Sequence, residues 1–89
     1  MRIAVLSGVP AGSKVRVISI TAGKGKVRRL MEMGILPGEI VEVVSNTVGP
    51  VIVRVRGSMI AIGRGMASNI LVEVISDGSR LHDSDSGTS

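Results

Sequence analysis

Short apolar runs separated by glycine and proline set the pattern of the chain up to residue 76. Lys14 to Ile20 (KVRVISI) predicts a strand entered from the turn-forming stretch Val9-Pro10-Ala11-Gly12, and Glu39 to Ser45 (EIVEVVS) predicts a second, introduced by Pro37-Gly38. In Val51 to Arg56 the alternation is strict: Val51, Val53 and Val55 fall on one face, Ile52, Arg54 and Arg56 on the other. That strand has an arginine-bearing outer face. Gly57-Ser58 divides it from a strand over Met59 to Ile62, and glycine at the first of two loop residues suits a type II′ hairpin, where that position needs φ > 0. Ile70 to Ile75 (ILVEVI) makes the fifth strand, after a segment from Gly63 to Asn69 expected to form a single helical turn.

One segment has a helical period instead. In Gly25 to Met33 (GKVRRLMEM), Val27, Leu30 and Met31 share one face, while Arg28 and Glu32 form an i, i+4 pair on the other. Its end is well marked: Gly34 can adopt the left-handed C′ conformation, Ile35 can reach back to Leu30, and Pro37 prevents continuation. Five strands joined by tight turns, with one short helix covering an end of the sheet, describe a mainly β domain. The expected fold is a small closed or partly open barrel of the SH3-like or OB-like kind.

Composition strengthens this reading. Among 39 apolar residues, Val (14) and Ile (10) outnumber Leu, Met and Ala (5 each), a β-branched set suited to buried strands. With 89 residues there is room for one small domain, placed at residues 1–76. From Asp77 to Ser89 (DGSRLHDSDSGTS) Leu81 is the single large apolar residue, so a disordered tail is expected, with His82 solvated in it. The apolar run Ile3 to Leu6 is cut by Ser7, Gly8 and Pro10, far short of a signal-peptide core, and no stretch approaches a membrane span. A soluble cytoplasmic protein is expected.

The chemistry on offer is narrow. The chain has no Cys, Phe, Trp or Tyr, which removes thiol chemistry, disulfides and aromatic-lined peptide or base-stacking grooves. Before the tail it lacks His and Asp as well, and Glu32, Glu39, Glu42 and Glu73 are scattered over different elements. No tuned acid–base pair or ligand cluster emerges, so neither catalysis, nor a cofactor, nor a metal site is expected. Gly8 to Lys14 (GVPAGSK) departs from a phosphate-binding loop, with Ser13 where the second glycine belongs and a strand where a helix should begin. Gly23-Lys24-Gly25-Lys26 opens the helix and could bind an anion at its N-terminus, but a flexible turn is the favoured reading.

Charge supplies the remaining signal. Residues 1–76 hold ten Lys and Arg against four Glu, a surplus of +6. Such a surplus suits an acidic protein surface, nucleic acid or an anionic membrane face, and does not choose among them. Arg54 and Arg56 on the strand, with Arg28 and Arg29 on the helix, are the candidate partner-binding residues.

Leu6 to Gly12 (LSGVPAG), Arg28 to Gly38 (RRLMEMGILPG) and Gly57 to Val74 (GSMIAIGRGMASNILVEV) together resemble the FeoA family of small cytoplasmic proteins of ferrous-iron transport. The likeness spans about residues 6–75, with Leu30, Gly34, Ile35, Pro37, Gly38 and Gly57 as its structural positions. It implies an SH3-like barrel that associates with the cytoplasmic part of the membrane ferrous-iron transporter FeoB and supports or regulates uptake, without entering the membrane. It also allows a weak homo-oligomer. The stretch Ser45 to Pro50 departs from the longer Pro-Leu-Gly type of loop expected there. A related domain ends some iron-dependent repressors, but no DNA-binding partner domain is expected in this chain. The alternative reading is a basic small-barrel nucleic-acid binder.

Overall fold

In the computed structural model, which describes residues 1–77, alternation becomes burial. The elements are β1 (Ile3–Val5), a 3₁₀ turn (Leu6–Gly8), β2 (Lys14–Ile20), α1 (Lys24–Glu32), β3 (Ile40–Ser45), β4 (Val51–Val55), β5 (Ser58–Ile62), α2 (Arg64–Ala67) and β6 (Ile70–Ser76). All six strands belong to one antiparallel sheet in the order β1-β6-β2-β3-β4-β5. Val15 and Val17, Val41 and Val43, Val51, Val53 and Val55, Ile62, Ile70 and Val72 all point to one face and are buried. Leu6, Val9, Leu30, Ile35 and Ala67 complete the same core cluster from the turns and helices. Each fully buried valine or isoleucine contributes about 1.5–3 kcal/mol relative to an exposed one, so this single face is the main source of stability.

The sheet bends at register shifts in β2 against β6, between Val17 and Ser19, and in β3 against β4, between Val43 and Ser45. Its edges, β1 and β5, are not paired with each other. Instead the elements that follow them meet: the Ser7 and Ser68 hydroxyls lie 2.8 Å apart, joining the 3₁₀ turn to the residue after α2.

The helix stop is as expected. Gly34 has φ +96°, its N–H donates to the Met31 carbonyl (3.0 Å), and the Ile35 N–H donates to the Leu30 carbonyl (3.0 Å). This is a Schellman motif, and Leu30 and Ile35 both sit in the core beneath it. Leu36-Pro37-Gly38-Glu39 then forms a turn in which Gly38 takes φ +93° and Glu39 N–H reaches Leu36 O (2.9 Å). Gly38 N–H also donates to Val17 O (2.7 Å), which docks the turn on β2.

Five sequence expectations need correction. The strands number six: β1 is too short for periodicity to reveal and exists by pairing Ile3, Ala4 and Val5 with Glu73, Val72 and Leu71 of β6. The hairpin loop is Arg56-Gly57, not Gly57-Ser58. Both residues have positive φ (53° and 83°), and Val55 pairs with Ser58, so the turn is of type I′ and Arg56 lies outside the strand. On α1, Met31 is 39% exposed, because the helix touches the core chiefly through Leu30. Arg28 and Glu32 form no ion pair. Asp77, assigned above to the tail, pairs with Arg2 at 3.1 Å; the rest of the expected tail, including Leu81 and His82, lies outside the described residues.

Candidate functional site: a cationic helix beside an open groove

The register of the sheet decides which arginines are free. Arg54 stands opposite Glu42 across β4 and β3 and bonds to it at 2.9 Å, and Arg16 stands opposite Glu73 and bonds to it at 3.3 Å. At the hairpin tip, Arg56 holds Glu39 with two bonds, Nε to Oε1 at 3.1 Å and Nη2 to Oε2 at 2.9 Å. Thus Arg54 and Arg56, two of the four candidate partner-binding residues, already have carboxylate partners within the fold.

The Arg56–Glu39 pair has a measurable consequence. The hydrogen bond from Arg56, aided by its charge and opposed by partial desolvation, holds the Glu39 carboxyl below its ordinary pKa. Its contribution to stability is therefore fully present above the ordinary carboxylate value and is lost as pH falls through the lower, folded value. In an NMR titration Glu39 is expected to protonate at lower pH than an unperturbed glutamate, and Arg56→Ala to return it to the ordinary range; an unchanged Glu39 midpoint in the variant would show that the pair does not form in solution.

The helix is different. Lys24, Lys26, Arg28 and Arg29 are all exposed on α1, and among the described residues none has an ion-pair partner. Glu32 is the one carboxylate of that helix. The positive charge without carboxylate partners among the described residues is thus concentrated on α1, at Arg28 and Arg29, whereas Arg54 and Arg56 are exposed but ion-paired. Lys24 and Lys26, in the segment expected to favour a flexible turn over anion binding, join Arg28 and Arg29.

Beside this helix lies an open groove of about 400 Å³. Lys26, Arg29, Leu30 and Met33 of α1 and the residue after it form one wall, and Ala61, Ile62 and Met66 of β5 and α2 form the other. Its lining is predominantly apolar with a cationic rim. Sequence reasoning missed it, because Met33 and Met66 are brought together only by the packing of α1 against the end of β5.

A second polar assembly was also not legible. The Arg64 guanidinium donates to Thr47 O (2.6 Å), Asn46 Oδ1 (2.8 Å), Gly49 O (3.1 Å) and Ser7 O (3.4 Å). Asn46 in turn donates through Nδ2 to Val9 O (2.7 Å) and Ser7 O (3.0 Å). Arg64 therefore ties the loop after β3 to the 3₁₀ turn and is a structural residue. Among the described residues no three His, Cys, Asp or Glu side chains converge to hold a metal ion, and no helix is long and apolar enough to cross a membrane.

A bent six-stranded antiparallel sheet carrying one short helix and a cationic groove defines a small SH3-like β module. The FeoA domain model matches residues 5–74, and the chain belongs to the FeoA family. It is 50% identical over 62 residues to a protein named "Putative Fe(2+) transport protein A" of Methanocaldococcus jannaschii, covering 70% of this chain and 76% of the relative. A crystallised iron uptake regulatory protein (FeoA) matches at 32% identity and TM-score 0.77, covering 84% of this chain and all of that one. Stenotrophomonas maltophilia FeoA, described as an SH3 domain protein and solved with zinc, matches at 29% identity and TM-score 0.68, covering 78% of this chain and 88% of that one.

Proposed function

We propose that this protein is a cytoplasmic accessory of ferrous-iron transport that acts by binding, not by catalysis, and that its partner is the cytoplasmic part of the membrane transporter FeoB. Family membership supports the transport role. The observation that carries the binding mode is the set of four cations on α1 that lack carboxylate partners among the described residues, whereas every arginine on the strand faces and hairpin has one. Cations left uncompensated on one helix favour an acidic docking surface, speed encounter with it and make association salt-dependent.

The test is charge reversal on the helix. Arg28→Glu with Arg29→Glu is expected to weaken association with detergent-solubilised transporter about tenfold or more, mainly through a slower on-rate and a smaller salt dependence, with the melting midpoint nearly unchanged. Both residues are exposed and unpaired, so the fold does not depend on them. Equal affinity before and after reversal would overturn this reading. Binding of the unmodified protein to DNA or RNA with a steep salt dependence, and none to the transporter, would replace it with the nucleic-acid alternative.

A further inference from the structure

β5 is an edge strand without the usual protection. Edge strands in soluble proteins are commonly shortened, bulged, or guarded by lysine or proline, because their outward amides otherwise recruit another chain. β5 (SMIAI) has five residues, no charge and no proline, and it pairs with β4 through an unbroken register from Val55–Ser58 to Val51–Ile62. The two-residue turn makes Val55 and Ser58 a hydrogen-bonded pair, so Ser58, Ile60 and Ile62 turn their backbone groups toward β4. Met59 and Ala61 turn theirs outward. Both residues are exposed, and among the described residues their amides have no backbone partner on that side. The other edge, β1, offers only three residues.

The groove described above meets this edge at the C-terminal end of β5, against Ala61 and Ile62. Side chains of an added strand would alternate, and those on the Ile60 and Ile62 side would enter the space between β5 and α1. There Leu30 and Met33 offer apolar surface, and Lys26 and Arg29 stand at the rim without carboxylate partners. We propose that β5 accepts an extended acidic segment of a partner protein as an added strand, its inward side chains seated in the α1–β5 groove. Main-chain bonds to Met59 and Ala61 supply affinity, and the groove selects apolar side chains flanked by carboxylates. A second copy of this chain is the less complementary occupant, since it would bring another Lys26 and Arg29 to the same seam in a protein of net charge +4. The inference rests on the reading of α1 as a partner-facing surface.

The probe is the blocked peptide Asp-Thr-Val-Thr-Val-Thr-Asp, which presents valine and aspartate on one side in either direction of pairing. Titrated into the ¹⁵N-labelled protein, it is expected to shift and protect the Met59 and Ala61 amides. N-methylation of one alternating set of its amides is expected to weaken binding about tenfold or more, while methylation of the other set changes it less than about twofold, as strand pairing requires. Lysine in place of both aspartates should weaken it to a similar degree. Tolerance of methylation at both sets, or shifts that bypass Met59 and Ala61, would overturn the proposal. So would a dimer joined through β5 in sedimentation of the peptide-free protein. The probe contains no transporter, so its failure would leave the charge-reversal result on α1 standing, and failure of that experiment would leave the peptide result standing.

Discussion

Replacing Gly34 with valine is expected to destabilise the fold by about 2–5 kcal/mol. Two separate effects combine there. Gly34 has φ +96°, a conformation that costs a β-branched residue about 1–2 kcal/mol. In addition, a Cβ built on Gly34 would lie 3.3 Å from Cγ1 of Val55, which is buried at the end of β4, and overpacking of this kind costs about 1–3 kcal/mol. Gly38 separates the two effects. It has φ +93° but nothing within 4 Å of an added Cβ, so Gly38→Val should show the backbone cost alone. For a domain this small, each kcal/mol corresponds to roughly 4–8 °C of melting midpoint, so the two variants are distinguishable by calorimetry. Equal losses at the two positions would show that Val55 yields freely, and no loss at Gly34 would mean that the helix ends in solution without the Schellman geometry.

The same position shows what a sequence can disclose. Gly34, Ile35, Pro37 and Gly38 form a local code: each is needed within a few residues of where it acts, and their roles follow from backbone sterics alone. The strand from Lys14 to Ile20 was legible to its end residues for the same reason, since its alternation and its entering turn are both local. β1 was not, because three residues carry no period and its partner β6 lies at the far end of the domain. The hairpin was recognised but displaced by one residue. Type I′ turns favour Asn or Asp before Gly, and Arg56 is held at positive φ here with its guanidinium engaged by Glu39 from another element.

Charge followed the same division. Composition showed a cationic excess, but whether a given arginine is free depends on strand register. Arg54 meets Glu42 only because β3 and β4 pair as they do, so its neutralisation could not be seen in Val51 to Arg56 by itself. Arg28 and Arg29 have no ion-pair partner among the described residues, and nothing in their own segment could show that. The groove between α1 and β5 is likewise a product of packing, formed by residues from three elements that no spacing in the sequence connects.

Arg64 is the largest departure from legibility and the second large expected effect. It lies between two glycines in Gly63-Arg64-Gly65, where nothing local marks it as more than a solvated cation. In the fold its planar guanidinium meets four acceptors on the 3₁₀ turn and on residues 46–49, and so spans the gap between elements that follow the two unpaired sheet edges. Removing it with Arg64→Ala leaves those acceptors without their donor and is expected to cost about 1.5–3 kcal/mol, the range for hydrogen bonds to a charged group. Arg64→Lys decides whether geometry or charge is responsible. An ammonium has the same charge but no fixed fork, and it cannot reach acceptors on both segments at once, so most of the loss should remain. The shared partner gives a further check. Asn46 bonds both to Arg64 and to the Ser7 and Val9 carbonyls, so Asn46→Ala and Arg64→Ala should be non-additive, with a coupling of about 1 kcal/mol in a double-mutant cycle. Hydrogen exchange should show the amides of residues 46–49 opening first in either variant. Full stability in Arg64→Lys, or strict additivity with Asn46→Ala, would show that the loop after β3 is held by something other than this guanidinium.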